Sequence, residues 1–219
     1  MVSRLQRFAY TAMSLLGISL SPLAWGQFAP NAAGARALPA GARAPDFTAM
    51  RADGTRYTFN SSQLRQPHVL IFYRGGWCPY CNTQLADLRL VEPKLRRAGF
   101  DVIFISTDRP ALLYSSLKNP DIEYTLLSDP ELMAAQAFHI AFHLDDQKYA
   151  EQLKWGIDLE KTTGNKAHAL PVPSVFIVDT SGVIRFVYSN PDYKVRLGAE
   201  DLWKAAVPLA PYPPPGDAR

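Results

Sequence analysis

Two cysteines separated by two residues are the clearest candidates for chemistry in this chain. Cys78 and Cys81 enclose Pro79 and Tyr80, and they are the only cysteines among the 219 residues. A disulfide across so short a loop removes little entropy from the unfolded chain, so a purely stabilising role is weak. Two thiols one helical turn apart are better suited to reversible oxidation.

The elements predicted around the pair would activate one of its thiols. His68–Tyr73 is a continuous apolar run that predicts a buried central strand, and a helix is expected to begin near Cys78 and to continue towards Ala98, kinked at Pro93. The first turn of a helix presents unpaired amides and the positive end of the helix dipole. A thiolate at that position is stabilised, so the pKa of the cysteine falls.

The rest of the body alternates strands and helices. Asp53-Gly54 is a turn signal, and it predicts an N-terminal β-hairpin from Phe47–Arg51 and Arg56–Phe59. The other predicted elements are strands at Asp101–Ser106, Pro173–Asp179 and Val183–Tyr188, and helices at Pro110–Lys118, Pro130–Phe138 and Ala199–Val207. The segment His139–His168 fits no part of this pattern and is predicted to be a partly helical insertion. The expected fold is α/β, with a mixed central sheet flanked by helices.

Composition limits the function classes. Hydrophobic residues make up 47%, charged residues 20%, and the formal net charge is +3. These values are ordinary for a globular protein, and no basic cluster with interleaved aromatics indicates nucleic-acid binding. We expect one domain at residues 44–206, between a flexible lead-in at 27–43 and a proline-rich tail at 207–219.

Residues 1–26 have the pattern of a signal peptide. Arg4 and Arg7 precede the apolar run Phe8–Leu20, and the small residues Ala24 and Gly26 then mark a cleavage site. The sequence therefore predicts export to the periplasm or the extracellular space. An uncleaved anchor remains an alternative, although the run is shorter than the ~20 residues of a membrane span. No stable membrane span is expected elsewhere.

The stretch Phe72–Cys81, which reads FYRGGWCPYC, resembles the peroxiredoxin-like group of the alkyl hydroperoxide reductase/thiol-specific antioxidant (AhpC/TSA) family. Further matching segments are Ala44–Thr48, Leu127–Pro130, Pro171–Pro173, Phe176–Asp179, Gly182–Arg185 and Asn190–Tyr193. Together they cover roughly residues 40 to 205. The resemblance implies a thioredoxin-like fold and thiol-dependent redox chemistry without a cofactor.

The family's peroxide site is only partly matched. Its motif, Pro-x-x-x-Thr-x-x-Cys, places Cys81 on the peroxidatic position, with Cys78 in place of the threonine and Arg74 in place of the proline. The family's distant arginine falls at about Pro173. Because a departing peroxide oxygen needs donors aimed at its charge, Arg74 or Arg185 would have to replace the missing groups.

Other features resemble thioredoxins. In those proteins the first cysteine attacks, the second resolves, and a cis-proline faces the pair. Pro173 occupies the matching place, and the Val172 carbonyl would then shape the substrate groove. A simple proline at the start of a strand is the alternative. The candidate substrate-binding residues are therefore Pro173, Val172, Arg74 and Trp77.

Three functions follow from these residues. In the first, Cys81 attacks hydrogen peroxide or an organic hydroperoxide, Cys78 condenses with it, and an external dithiol such as a thioredoxin-like protein resets the enzyme. In the second, Cys78 exchanges disulfides with exported proteins and Cys81 resolves the intermediate. In the third, the pair binds a metal with His139 or His143, which would share a helix face, although their spacing from Cys81 is not that of a zinc finger.

Overall fold

A computed structural model describes residues 28–116 and 125–212 of the chain. The predicted signal peptide, the end of the helix predicted at Pro110–Lys118 and the last residues of the proline-rich tail lie outside these ranges. Within them, no helix has the length and apolar character that a bilayer crossing requires.

A mixed sheet of seven strands forms the centre of the structure. The described residues hold nine strands, seven of them in this sheet: β1 (Phe47–Arg51), β2 (Arg56–Phe59), β3 (His68–Tyr73), β4 (Asp101–Ser106), β5 (Thr125–Ser128), β6 (Ala141–His143), β7 (Ala169–Pro171), β8 (Ser174–Val178) and β9 (Ile184–Ser189). The sheet order is β2-β1-β5-β4-β3-β8-β9, and β6 and β7 pair separately. Strands β3, β4 and β5 are parallel, and the other neighbours are antiparallel. The predicted mixed α/β sheet is confirmed.

Helices cover both faces of this sheet. They are α1 (Pro79–Leu88), α2 (Glu92–Arg97), α3 (Pro110–Ser116), α4 (Met133–Ala137), α5 (Asp146–Lys154), α6 (Leu159–Thr163) and α7 (Ala199–Ala206), with 3-10 turns at Ala32–Gly34 and Val207–Leu209. Successive side chains of a strand point to opposite faces. On β3, Ile71 therefore packs with Leu88 of α1 and Leu202 of α7, whereas Phe72 packs with Phe138 on the other side.

Strand β3 delivers the chain to the predicted site. All six of its residues are buried, and it pairs with β4 on one side and β8 on the other. Its carboxyl end at Tyr73 leads directly into the loop before α1. The site is therefore positioned by a strand that is fully buried and paired on both sides.

The single kinked helix predicted after Cys78 is wrong, because the structure holds two helices. Helix α1 ends at Leu88, and α2 starts at Glu92 with Pro93 in its first turn. A proline within a helix lacks the N–H donor and its ring clashes with the carbonyl four residues earlier, here that of Arg89. The same residue is well accommodated in a first turn, so the chain breaks and restarts.

The insertion is partly helical, as predicted; it holds helices α5 and α6, and strands β6 and β7 frame them. The expectation that His139 and His143 share a helix face is wrong. His139 follows α4 in a turn with φ of 60°, and His143 lies in β6. The α-helical spacing of the two histidines does not apply there.

Residues 28–43, which we expected to be a flexible lead-in, are hydrogen-bonded to the domain. The Ala29 amide donates to the Ala141 carbonyl at 2.9 Å, and the Arg36 amide donates to the His139 carbonyl at 3.2 Å. Apolar side chains of this segment, Leu38 among them, pack against the core on the same face as the insertion. Apart from the 3-10 turn at Ala32–Gly34, the segment is held by backbone hydrogen bonds outside regular elements, and its sequence accordingly shows no periodicity.

Replacing Gly182 with alanine should destabilise the fold. Gly182 lies in the turn before β9 with φ of 77°, and a β-carbon there would collide with the backbone carbonyl of Ser61. We expect the free energy of unfolding in urea to fall by about 2 kcal/mol or more. Gly54 is the control, since its φ is 82° but no atom lies within 4 Å of an added β-carbon. Equal losses in both variants would contradict the steric argument.

Candidate active site

The two thiols lie at the junction of β3 and α1, where the sequence placed them. Cys78 is the N-cap residue of α1, with its amide donating to the Gly75 carbonyl at 3.1 Å and its own carbonyl accepting from Asn82 at 3.1 Å. Cys81 lies one turn further along. Both are free thiols, and their exposed fractions are 1% for Cys78 and 0% for Cys81.

The surroundings of the pair drive the two pKa values apart. A hydrogen bond from the Cys81 side chain lowers the pKa of Cys78 to about 6, with further help from the Cys81 amide and from the charges of Arg74 and Arg196, against the opposing effect of burial. The same hydrogen bond, followed by burial and the negative charge on Cys78, raises the pKa of Cys81 above its ordinary value. At neutral pH the site therefore holds a thiolate on Cys78 and a proton on Cys81.

Arg196 is the cation nearest to the sulfurs among the described contacts, and sequence analysis missed it. Its Nη2 lies 3.3 Å from Cys81 Sγ and 4.0 Å from Cys78 Sγ. Its Nε donates to the Tyr193 carbonyl at 2.6 Å, and its Nη1 donates to Gln84 Oε1 at 3.1 Å. A guanidinium held on three sides can stabilise negative charge on either sulfur.

Helix α1 also fixes the loop that carries Arg196. Gln84 Nε2 donates to the Leu197 carbonyl at 3.3 Å. Asp87 Oδ2 accepts from the Ala199 amide at 2.7 Å, so this carboxylate satisfies an amide in the first turn of α7. Helix α1 therefore positions both the thiols and the arginine beside them.

Arg74 lies buried next to two aromatic rings. Its guanidinium carbon is 5.0 Å from the Trp77 ring centroid and 4.2 Å from that of Tyr193, whose ring meets Tyr80 edge-on at 5.6 Å. The Nε of Arg74 has no hydrogen-bond partner among the described residues. The charge of Arg74 is one of the influences that lower the pKa of Cys78.

Arg185, the other arginine considered as a replacement for the family's peroxide-site arginine, is not at the site. Its Nε pairs with Asp179 Oδ2 at 2.5 Å beside the turn between β8 and β9. About half of its side chain is exposed. The ion pair with Asp179 holds Arg185 at this hairpin.

A buried carboxyl group supports the loop below the thiols. Asp108 follows β4, and its Oδ2 accepts from the Gly76 amide at 2.6 Å. Burial raises the pKa of Asp108 to about 6, although the hydrogen bond from the Gly76 amide acts in the opposite direction. The group fixes the glycine pair through which the chain passes from β3 to Cys78.

The cis-proline expected at Pro173 is wrong, since the described residues contain no cis peptide bond. Pro173 instead immediately precedes β8, where a proline is tolerated and the trans bond is preferred by about 0.5–1 kcal/mol. The Val172 carbonyl accepts from the Ser174 hydroxyl at 2.9 Å, and Val172 is not part of the cavity wall described next. Pro173, Arg74 and Trp77 are part of that wall.

A cavity of about 850 Å³ opens in front of Cys78. Cys78 belongs to its wall, and Cys81 does not. The wall combines the start of α1, the loop Pro191–Lys194, the insertion, and the segment at Asn31. Of the two thiols, Cys78 is therefore the one that a molecule bound in this cavity would meet.

The metal-binding hypothesis gains no support from the arrangement of side chains. Within residues 28–116 and 125–212, no three or more histidine, cysteine or acidic side chains form a group that could hold a metal ion. His143 packs its ring against Phe28.

The reduced protein should show one thiolate titration well below the ordinary cysteine range. Thiolate ultraviolet absorbance should rise with a midpoint near pH 6, because Cys78 ionises while Cys81 keeps its proton. The Cys78→Ser variant should lack this step. A midpoint close to pH 9.0, the unperturbed value, would contradict the described electrostatics.

A buried dithiol at the strand–helix junction of this mixed sheet defines a thiol oxidoreductase of thioredoxin-like fold. Solved structures agree with that fold. Peroxidoxin BcpB from Mycobacterium tuberculosis matches with a TM-score of 0.59 and 20% identity over 78% of this chain and 96% of that one. A peroxiredoxin-like protein from Aquifex aeolicus matches with a TM-score of 0.62 and 18% identity, over 80% and 89% of the two chains.

Residues 40–187 match the model of the AhpC/TSA family, and the chain belongs to that family. Among curated relatives, Peroxiredoxin Bcp from Escherichia coli K12 is 29% identical over 154 residues, which span 70% of this chain and 86% of that protein. Chloroplastic Peroxiredoxin Q from Triticum aestivum is 30% identical over 149 residues, 67% and 57% of the two chains. The family resemblance predicted from the sequence is confirmed.

Proposed function

We propose that this protein is a thiol-dependent peroxidase that reduces hydrogen peroxide or organic hydroperoxides through a Cys78–Cys81 dithiol–disulfide cycle. The observation that carries the proposal is the thiolate on Cys78, hydrogen-bonded to a protonated Cys81 one helical turn away, with Arg196 at both sulfurs. Relatives named peroxiredoxins support the reaction type.

In the first step, the Cys78 thiolate attacks the terminal oxygen of the hydroperoxide. The O–O bond breaks, an S–O bond forms, and Cys78 becomes a sulfenic acid while the alkoxide or hydroxide leaves and takes a proton. The charged guanidinium of Arg74, a residue of the cavity wall, can stabilise the negative charge that develops on this leaving oxygen. The Cys81 hydrogen bond, assisted by the charges of Arg74 and Arg196, keeps the attacking sulfur ionised.

In the second step, Cys81 attacks the sulfenic sulfur of Cys78. The disulfide forms, the S–O bond breaks, and the Cys81 proton leaves with the hydroxyl group as water. The side-chain hydrogen bond between the two residues already places the sulfurs together. An external dithiol, such as a thioredoxin-like protein, then reduces the disulfide by exchange.

This order of attack reverses the one that the family motif suggests for Cys81. Two observations favour Cys78: it is the thiol that lines the cavity, and its pKa is the lowered one. An attacking sulfur needs ionisation and access, whereas a resolving sulfur can remain buried and protonated. Cys81 meets the second description.

Peroxide consumption tests the proposal directly. The reduced protein should consume hydrogen peroxide or cumene hydroperoxide catalytically when dithiothreitol is supplied, with one dithiol oxidised per peroxide. The double variant Cys78→Ser/Cys81→Ser is the control for reaction of dithiothreitol alone. Rates equal to this control with both peroxides would reject a peroxidase function.

We also propose export, on the basis of the charged and apolar pattern at residues 1–26. N-terminal sequencing of protein recovered from outside the cytoplasm should begin at or near Gln27. Recovery of that protein with Met1 in place would contradict cleavage.

A further inference from the structure

We propose that residues 28–38, the strap, form one wall of the cavity in front of Cys78 and select hydroperoxides with a bulky apolar substituent over hydrogen peroxide. The inference rests on the proposed peroxidase function, because it names the substrates that this reaction favours. It assigns the selection to a part of the chain outside the family region, since the family match begins at residue 40.

The strap is attached to the domain near both of its ends. At its start, the Ala29 carbonyl accepts from the His143 amide at 2.9 Å, so that Ala29 pairs alongside β6 in the parallel sense. The Phe28 ring meets the His143 ring edge-on at 4.6 Å. At its end, the Leu38 amide donates to the Phe138 carbonyl at 3.3 Å. The strap is therefore fixed beside β6, which itself contributes to the cavity wall.

A 3-10 turn in the middle of the strap lies at the cavity. The turn covers Ala32–Gly34, and the Asn31 side chain caps it by accepting from the Gly34 amide at 2.9 Å. Asn31 and Ala32 belong to the cavity wall. Ala32 is half-buried, whereas Ala33 is exposed and is not part of the wall. Two neighbouring alanines of one turn therefore differ in whether they can meet a molecule bound in the cavity.

The cavity is far larger than hydrogen peroxide. Its volume is about 850 Å³, whereas a water molecule in the liquid occupies about 30 Å³ and hydrogen peroxide is little larger. Pockets of about 300–1,000 Å³ enclose ligands with many heavy atoms. Hydrogen peroxide alone would leave most of the cavity to solvent, so the volume matches a hydroperoxide whose substituent fills it.

The wall is mainly apolar, which indicates the kind of substituent. Its apolar residues include Ala32, Trp77, Tyr80, Phe142, Trp155 and Ile157. Trp155 is 67% exposed and Tyr80 is 43% exposed, so a bound apolar group can cover both rings. Removal of apolar surface from water is favourable. Hydrogen peroxide offers no such surface, whereas an aromatic or alkyl substituent does.

Ala32→Phe tests the strap, because the added ring would occupy part of the cavity. The measured quantity is kcat/KM for cumene hydroperoxide divided by kcat/KM for hydrogen peroxide, with dithiothreitol as the reductant. This ratio should be at least about ten in the wild-type protein, and Ala32→Phe should lower it about tenfold. Ala32→Leu adds a smaller side chain and should lower the ratio by a smaller factor, which keeps the test valid if the larger ring displaces the strap.

Ala33→Phe is the matched control, since it makes the same change on the exposed side of the same turn. It should leave the ratio at the wild-type value. Protection of the His143 amide from hydrogen exchange would verify that the strap stays attached in each variant. A wild-type ratio near one, a ratio that Ala32→Phe leaves unchanged, or equal effects of Ala32→Phe and Ala33→Phe would overturn the inference.

Binding of 2-phenylpropan-2-ol, the alcohol formed when cumene hydroperoxide is reduced, separates this inference from the peroxidase proposal. Its dissociation constant can be followed by the fluorescence of the wall residues Trp77 and Trp155 in a protein that also carries Cys78→Ser and Cys81→Ser. The constant should rise about tenfold with Ala32→Phe and stay unchanged with Ala33→Phe. Absence of binding would overturn the inference. Binding with this variant pattern, but without consumption of either peroxide, would reject the peroxidase function alone.

Discussion

The Cys78→Ser variant should lose peroxide turnover by at least ~10³-fold, whereas Cys81→Ser should still complete one round of peroxide attack. Cys78 carries the thiolate and lines the cavity, so its loss removes the nucleophile. Without Cys81 the sulfenic acid on Cys78 has no resolving thiol within the chain, because the sequence contains no third cysteine. The reaction should stop after one equivalent of peroxide.

Rapid-mix single-turnover assays with a sulfenic-acid trap and peptide mass spectrometry would measure this outcome. The trap should label Cys78 in the Cys81→Ser variant and nothing in Cys78→Ser. A sulfenic acid found on Cys81 of the Cys78→Ser variant, formed at the wild-type rate, would restore the order that the family motif suggests. Circular dichroism spectra of both variants would show whether the fold is retained.

Arg196→Met should slow peroxide attack roughly ten- to hundredfold at pH 7. After the Cys81 hydrogen bond, which is the largest cause, the charges of Arg74 and Arg196 also lower the pKa of Cys78, so removal of Arg196 should move that pKa upward from about 6. The pH profile of the single-turnover rate should shift to higher pH by the same amount. Thiolate absorbance would report the shift independently of any peroxide.

Two further variants make the Arg196 result specific. Arg196→Lys should recover part of the rate, since the charge is kept while the three-sided hydrogen bonding is not. Arg185→Met removes an arginine that pairs with Asp179 away from the sulfurs, and it should leave both the rate and the titration unchanged. If Arg196→Met also left the profile of Cys78 in place, the cation would have only a structural role.

The sequence predicted the strands that carry strong local signals. Phe47–Arg51 and Arg56–Phe59 were bounded correctly because Asp53-Gly54 fixes the turn between them, and His68–Tyr73 because a continuous apolar run can only be buried. Helix ends were predicted less well. The break between Leu88 and Glu92 depends on where a single proline is best accommodated, which a periodicity argument does not resolve.

The thiol pair was predictable, but most of its surroundings were not. The spacing of Cys78 and Cys81 and their place after a buried strand are local features. Arg196 follows them by more than a hundred residues and reaches the sulfurs only because Gln84 and the Tyr193 carbonyl orient it. The Asn190–Tyr193 segment, just before it, was the available signal. Pro173 is the opposite case. Its place in the sequence matches that of the thioredoxin cis-proline, but its peptide bond is not cis.

Because the two sulfurs lie close together, the rates of two competing reactions decide what happens to oxidised Cys78. A sulfenic acid on Cys78 has two fates: capture by Cys81, or a second encounter with peroxide that yields an irreversible sulfinic acid. Here the partner thiol is already hydrogen-bonded within the same helical turn, so its effective concentration is high without any rearrangement. Capture should outpace over-oxidation even at high peroxide concentration, which makes the protein suited to sustained peroxide exposure rather than to sensing it by inactivation.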